Sequence, residues 1–244
     1  MNIGIIGSGN IGAELARKLS AAGHMVKLAN SRGPDTLKDI VDGTSISAVA
    51  KEDVATDADV VILSIPFARN AEAAALLANA PANAIFVDTS NYYPQRDGRI
   101  AEVEIGKPET VWASEQVSRP LIKAWNAILS QTLIEAGTAP GTQGRIAIPF
   151  AGDDLAAKHV VAELVSATGF DTVDAGDLAG SWRFQPGSPA YCTELTIQEL
   201  EAALSNANRD RSPSNRDAIM KAISDGTVAM TRAAMAANNR VMSN

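Results

Sequence analysis

Met1-Asn-Ile-Gly-Ile-Ile-Gly7-Ser-Gly9-Asn-Ile-Gly12 opens the chain as a short apolar run that passes directly into Gly7-x-Gly9-x-x-Gly12. Ala13-Glu-Leu-Ala-Arg-Lys-Leu-Ser-Ala-Ala22 follows with the look of a helix. A glycine triplet alone is a weak signal, but strand before and helix after give each glycine a task. Gly7 permits the tight turn off the strand, Gly9 lets backbone approach a pyrophosphate, and Gly12 lets the helix pack against the strand. The pyrophosphate would rest on the helix N-terminus, where free N–H groups and the dipole favour an anion. Gly7, Ser8, Gly9, Asn10, Ile11 and Gly12 are therefore candidate cofactor-binding residues.

Working outward, the second strand should end at Met25-Val-Lys-Leu-Ala-Asn30-Ser31-Arg32-Gly33-Pro34. NAD-binding units of this type carry an Asp or Glu roughly 20 residues past the glycines to hold the ribose 2′-hydroxyl. Here that acid is missing, and Asn30, Ser31 and Arg32 stand in its place. A hydroxyl and a fixed guanidinium suit a 2′-phosphate, since guanidinium binds phosphate by charge-assisted, often bidentate bonds. The expected cofactor is NADP. Gly12, where some NADP fingerprints have Ala, is a weak cue in the other direction.

Composition narrows the class. The chain has 244 residues, enough for one large domain or one domain with a smaller partner. Its formal charge of −7 and the absence of a basic block argue against nucleic acid or an anionic membrane as main partner. No leader-like segment opens the sequence, and no stretch reaches the ~20 apolar residues that span a bilayer. The expected location is the cytoplasm. A single cysteine, Cys192, excludes an internal disulfide and a multi-thiolate metal site, and no metal site is expected.

Strand-like and helix-like stretches alternate through the first half, the pattern of an α/β, Rossmann-like doubly wound parallel sheet. Asp59-Val-Val-Ile-Leu-Ser64-Ile65-Pro66 reads as a strand buried on both faces. Ala71 to Asn79 reads as a helix, Ala84 to Asp88 as the next strand, and Leu121 to Trp125 as the sixth. Residues 1–125 form the expected NADP-binding domain. Residues 126–244 form a smaller, mainly helical C-terminal α/β domain for substrate and dimerisation. Within it Gly144 to Gly152 and Asp171 to Asp174 read as strands, and Asp153-Asp154 as the cap of a helix to Thr168. Pro189 to Asn206 and Asn215 to Arg240 read as helices.

In open α/β sheets ligands bind beyond the carboxyl ends of the strands. That rule selects Ser64, Ile65 and Pro66 after the fourth strand and Asn91 after the fifth as further cofactor-binding candidates. Asn126 faces the same edge. Lys123 and Trp125, two apart, should share one face of the sixth strand. His24 lies in a turn at the opposite end of the sheet, and His159 has no partner at ligand spacing. Cys192 is read near a helix start, a place that can lower a thiol pKa, although most lone cysteines are apolar fillers. No catalytic residue can be named. Few titratable groups suit direct hydride transfer, which depends on alignment because the cofactors carry the reaction.

Ile5-Ile-Gly-Ser-Gly-Asn-Ile-Gly12, Asn30-Ser-Arg-Gly33, Leu63-Ser-Ile-Pro66, Asp88-Thr-Ser-Asn-Tyr-Tyr-Pro94, Lys123-Ala-Trp-Asn126 and Ala151-Gly-Asp-Asp154 together resemble the NADP oxidoreductase family typified by coenzyme-F420-dependent NADP reductase. The resemblance implies NADP(H) on Gly7 to Gly12, its 2′-phosphate at Ser31 and Arg32, and its nicotinamide near Ser64, Ile65 and Pro66. It also implies a C-terminal domain closing the site, commonly in a homodimer. Asp177 replaces a proline of the family's Asp-Ala-Gly-Pro-Leu stretch. The function expected is NADPH-dependent hydride exchange with a small-molecule acceptor, flavin-like (F420, FMN) or otherwise planar. A ferric chelate, a quinone or an imine also stays open, as does a non-catalytic NADPH-binding sensor or scaffold.

Overall fold

A computed structural model describes residues 1–243. Eight strands are present: β1 (Asn2–Ile6), β2 (Met25–Ala29), β3 (Ser47–Ala48), β4 (Val60–Leu63), β5 (Ile85–Asp88), β6 (Leu121–Lys123), β7 (Ala147–Phe150) and β8 (Asp171–Asp174). The helices are α1 (Asn10–Ala21), α2 (Lys38–Val41), α3 (Asn70–Leu77), α4 (Pro94–Asp97), α5 (Ala101–Glu104) and α6 (Glu109–Val117) in the first half. In the second they are α7 (Ser130–Glu135), α8 (Leu155–Ala167), α9 (Ile197–Ser205), α10 (Ser212–Ser224) and α11 (Arg232–Met242). The first six strands form one parallel sheet in the order β3-β2-β1-β4-β5-β6. That is the doubly wound Rossmann order, and its switch point falls between β1 and β4.

The two faces of the sheet follow from strand alternation. Ile3, Ile5, Val26, Leu28, Val60 and Ile62 point to one face, where α1 contributes Leu15, Ala16 and Leu19. Ile6, Ala29, Val61, Leu63 and Phe86 point to the other, against Ala73 and Leu77 of α3 and Trp112 and Val117 of α6. All four residues of β4 are buried, as its unbroken apolar run requires of a strand covered on both sides.

The second half docks directly on this frame. β7 and β8 pair in parallel around α8, and Leu133 of α7 with Val161, Leu164 and Val165 of α8 join the same apolar cluster as Ile3 and Ile5. At the sheet edge Lys123 and Ala151 exchange backbone hydrogen bonds of 2.8 and 3.0 Å. Asp154 caps α8 by accepting from Ala157 N at 2.9 Å.

Several boundaries differ from the sequence reading. β6 stops at Lys123 because Trp125 takes φ 56° and leaves the strand. Trp125 therefore does not share Lys123's face. It sits among the α1-side core residues and its Nε1 donates to Thr168 Oγ1 at 3.3 Å, whereas Lys123 turns toward Asp88. The stretch read as a helix from Pro189 begins only at Ile197, where Thr196 and Glu199 form a capping box. The final helix is split in two: Gly226, at φ 67°, ends the first part, and Thr231 caps the second by accepting from Ala234 N.

Candidate functional site

The β1–α1 turn separates the three glycines by what surrounds them. Gly7 has φ 109°, in the region that L side chains avoid, and a Cβ there would lie 2.0 Å from Ser64 O. A Cβ on Gly12 would lie 2.0 Å from Gly7 O, so the start of α1 can cross the strand end only without one. At Gly9 a Cβ would meet nothing within 4 Å. The protein has no internal use for that missing side chain, and the space it leaves is on the outside. No side chain caps α1, and its first turn holds no acid. Uncapped N–H groups at the end of a 12-residue helix are the donors a pyrophosphate needs. The chain's own residues thus fit a dinucleotide.

Beside this turn, Asn30 shapes the end of β2. Its Nδ2 donates to Ser8 Oγ at 3.1 Å and to Thr36 Oγ1 at 2.9 Å, while its Oδ1 accepts from Arg32 N at 2.9 Å. These bonds fold residues 30–32 back toward the glycine turn. Ser31 and Arg32 are exposed. The first acid beyond the strand, Asp35, is exposed and paired with Lys38 at 3.3 Å. No carboxylate therefore occupies the place of a ribose-binding acid.

A cleft of about 670 Å³ runs over the ends of β2, β1 and β4. Of the residues expected from sequence, it gathers Gly7, Ser8, Gly9, Asn30, Ser31, Arg32, Ser64, Ile65 and Pro66 on its wall. Asn10, Ile11 and Gly12 do not line it; they form the first turn of α1, beneath Gly9. Asn91 is not on the wall either. Its Nδ2 donates to Asn126 O at 2.9 Å and its Oδ1 accepts from Asn126 Nδ2 at 3.1 Å. Asn126 Nδ2 also donates to Phe184 O at 3.0 Å, so the pair ties the β5 loop to the second half.

The wall also carries Lys51, Arg69, Arg96 and Asp97, which the sequence reading did not select. Each follows the carboxyl end of β3, β4 or β5 by a few residues, and the strand-end rule, applied further along each loop, would have found them. Arg96 forks onto Asp97, with Nε to Oδ1 at 3.0 Å and Nη2 to Oδ2 at 2.8 Å, and Nη2 also reaches Asn91 O at 2.5 Å.

Behind the β5 loop lies a cluster of buried charge. Asp88 and Lys123 are both fully buried and pair at 2.9 Å. Asp88 also accepts from Ser90 N, Ser90 Oγ and Thr110 Oγ1, and Lys123 Nζ donates to Ser90 O. Glu109, 4% exposed, accepts from Tyr92 N at 3.1 Å. Burial pushes its carboxyl up to about 7, with Asp88 adding to the rise and Lys123, the Tyr92 N–H and Arg216 opposing it.

The remaining residues singled out from sequence stand apart from the cleft. Cys192 is not at a helix start: it sits in a buried turn at φ 55°, and burial raises its thiol to about 12, which removes the reading of an activated thiol. Its neighbour Tyr191 shares a 2.7 Å hydroxyl contact with Tyr93. His159 is exposed beside Glu163. His24 lines a second cavity of about 560 Å³ at the amino ends of the strands, away from the glycine turn. Burial, then the nearby amino terminus, lowers its pKa. Among the described residues no cluster of His, Cys, Asp and Glu could hold a metal ion, and no helix is long and apolar enough to cross a membrane.

Comparison with known proteins agrees with this geometry. Residues 2–92 match the family described as NADP oxidoreductase, coenzyme F420-dependent. A solved structure of a hypothetical protein from Sinorhizobium meliloti is 33% identical, with a TM-score of 0.63 over 76% of this chain and 89% of that one. Among curated proteins, YjhV of Escherichia coli (strain K12) is 41% identical over 78 residues, 30% of this chain. Metalloreductase STEAP3 of Rattus norvegicus is 30% identical over 179 residues, 73% of this chain. These alignments span 57% and 34% of the lengths of those two curated relatives. The glycine turn and most of the switch-point cleft lie within the matched residues 2–92, and that part of the chain belongs to the NADP oxidoreductase, coenzyme F420-dependent family.

Proposed function

We propose that the protein exchanges hydride between NADP(H) and a small planar acceptor in the cleft over β2, β1 and β4. The observation that carries this reading is the pairing of two features on one wall. Gly9 leaves open space beside an uncapped helix N-terminus, and Arg32 stands exposed where an acid would select NAD. The bound dinucleotide supplies the hydride chemistry. The chain's own residues bind and orient. The N–H groups of the first turn of α1 hold the pyrophosphate, and Ser31 and Arg32 hold the 2′-phosphate. Ser64, Ile65 and Pro66 flank the nicotinamide, with Ile65 and Pro66 supplying an apolar surface that keeps water from the ring. Asn91 and Asn126 brace the loop that faces it.

The acceptor class follows less directly. The name of the relative STEAP3 describes a metalloreductase, and the family name points to a deazaflavin. The test is anaerobic NADPH oxidation, with NADH in parallel, against the deazaflavin F420, FMN, a ferric chelate, a quinone and a cyclic imine. Turnover with one acceptor and a clear preference for NADPH is the expected result. Tight NADPH binding without turnover on any of them would favour a cofactor sensor. No binding of either dinucleotide would overturn the reading of the cleft.

A further inference from the structure

The loop that bounds the cleft beyond β5 is held by buried carboxylates. Asp88 accepts from Ser90 N at 2.9 Å, Glu109 from Tyr92 N at 3.1 Å, and Asp97 from Tyr93 N at 2.9 Å. Two of the three have a dedicated cation: Asp88 is paired with Lys123 and Asp97 with Arg96. Glu109 has none within ion-pair distance among the described residues. Tyr92 carries the effect of Glu109 into the core, since its ring is fully buried against Phe67 and its hydroxyl joins Ile100 N and Glu104. The far end of the same segment places Arg96 and Asp97 on the cleft wall.

The charged groups around Glu109 are committed elsewhere. From β5 comes the like charge of Asp88, and from β6 Lys123, already spent on Asp88 and Ser90 O. From α10 comes Arg216, stacked over Tyr92 and bonded to Asp217. Lys107 and Arg209 share with Glu109 a crevice of about 60 Å³, but Lys107 bonds Glu102 and Glu115, and Arg209 bonds Gly106 O. Tyr93 is the remaining titratable neighbour, with its own hydroxyl on Tyr191. Glu109 is also the first residue of α6, whose dipole partly favours the anion. A carboxyl with one N–H donor and no partner of its own is more stable neutral when buried and more stable ionised when exposed. Linkage then fixes the sign: the seated loop binds the proton, and the released loop gives it up.

We propose that Glu109 is a proton-linked latch on the segment Ser90 to Asp97. The neutral carboxyl keeps the segment seated on α6, and ionisation loosens it, so that the cleft wall bearing Arg96 and Asp97 tightens as the protein takes up a proton. Glu109 is a positioning residue in this scheme. Its effect on dinucleotide affinity rests on the cleft reading proposed above, whereas its effect on the loop does not.

The test combines amide hydrogen exchange at Tyr92 and Tyr93, corrected for the intrinsic exchange rate, with NADPH titration, both near pH 6 and near pH 8. Wild type is compared with Glu109→Gln, and with Glu109→Met should the first variant fail to fold. Protection in wild type should fall about tenfold from the lower to the higher pH and stay level in the variants. The wild-type to variant ratio of NADPH Kd should rise with pH; taking the ratio cancels the titration of the 2′-phosphate itself. Protection that is independent of pH in wild type, or equally pH-dependent in the variants, would overturn the latch. Protection that responds while the affinity ratio stays flat would overturn its link to the cleft. Failure of NADPH to bind at either pH would overturn that link together with the cleft reading, and the exchange data would still decide the latch.

Discussion

Gly9 and Gly12 are three residues apart in one turn, yet valine at one and alanine at the other should fail in opposite ways. A methyl on Gly12 would sit 2.0 Å from Gly7 O and 3.1 Å from Ser64 Cβ. Carbon and oxygen need more than 3 Å, and the oxygen is backbone in a turn already held by Gly7 N to Ala29 O at 2.8 Å. Either α1 lifts off β1 or the turn shifts, and forced overpacking of this kind costs ~1–3 kcal/mol or more. Gly12→Ala should lower the urea midpoint accordingly. The Cβ of Gly9→Val would meet no atom of the protein within 4 Å, and the variant should fold with stability within about 0.5 kcal/mol of wild type. Its isopropyl group would instead fill the space the pyrophosphate needs, and NADPH and NADH binding should both fall below detection. The assay is urea unfolding followed by circular dichroism, with dinucleotide titration on the folded variants. NADPH binding retained by Gly9→Val, or wild-type stability in Gly12→Ala, would refute the division of labour in the turn.

Replacing Arg32 by glutamate should weaken NADPH binding by roughly 10- to 100-fold, the ~1.5–3 kcal/mol of a hydrogen bond to a charged group, and leave NADH within a few-fold. Equal losses for the two cofactors, measured by titration, would show that Arg32 does not read the 2′-phosphate. Glu109→Gln should change the pH dependence of stability with a defined sign. The folded carboxyl is raised from 4.5 to about 7, so its contribution is complete below 4.5 and is lost as pH rises through 7. Relative to the variant, wild type should lose about 3 kcal/mol between those limits, or less where the loop opens and hydrates the charge. Urea midpoints of the two proteins that run parallel from pH 4.5 to pH 8 would contradict that.

The order of the sheet was legible because its signals are local. β4 is an unbroken apolar run, and the β1 turn is a glycine pattern with strand before it and helix after. The cleft residues on β1, β2 and β4 follow from those positions and the strand-end rule alone. What stayed hidden depends on residues distant in sequence. Lys123 pairs with Asp88 across 35 positions, and no periodicity shows that both are fully buried. Trp125 breaks the alternation expected of β6 because a single residue adopts φ 56°, a change that nothing in Lys-Ala-Trp-Asn announces. Glu109 follows Pro108 as a first-turn acid does, a placement that in sequence alone suggests solvation. Its neighbours include Tyr92 and, a hundred residues later, Arg216 of α10. Gly226 is the missed local signal: Asp-Gly-Thr could have been read as a helix end, with Thr231 as the next cap.

If the cleft holds the dinucleotide as proposed, the distribution of its charge puts the cofactor choice at one residue. Although the chain carries a net charge of −7, four cations line the cleft: Arg32, Lys51, Arg69 and Arg96. Three are neutralised by an acid nearby in sequence, Lys51 by Glu52 at 3.9 Å, Arg69 by Glu72 at 3.2 Å and Arg96 by Asp97 at 2.8 Å. Arg32 alone of the four has no such acid among the described residues. A neutralised pair presents little net field to an incoming phosphate, whereas an uncommitted guanidinium presents its whole charge and its fork of donors. The bonds from Asn30 to Ser8, Thr36 and Arg32 N then acquire a purpose: they fix the backbone from which that guanidinium extends, so less freedom is lost when it closes on an anion. On the proposed reading of the cleft, discrimination between the two nicotinamide cofactors would follow from an acid withheld at the end of β2 and a cation left unpaired beyond it.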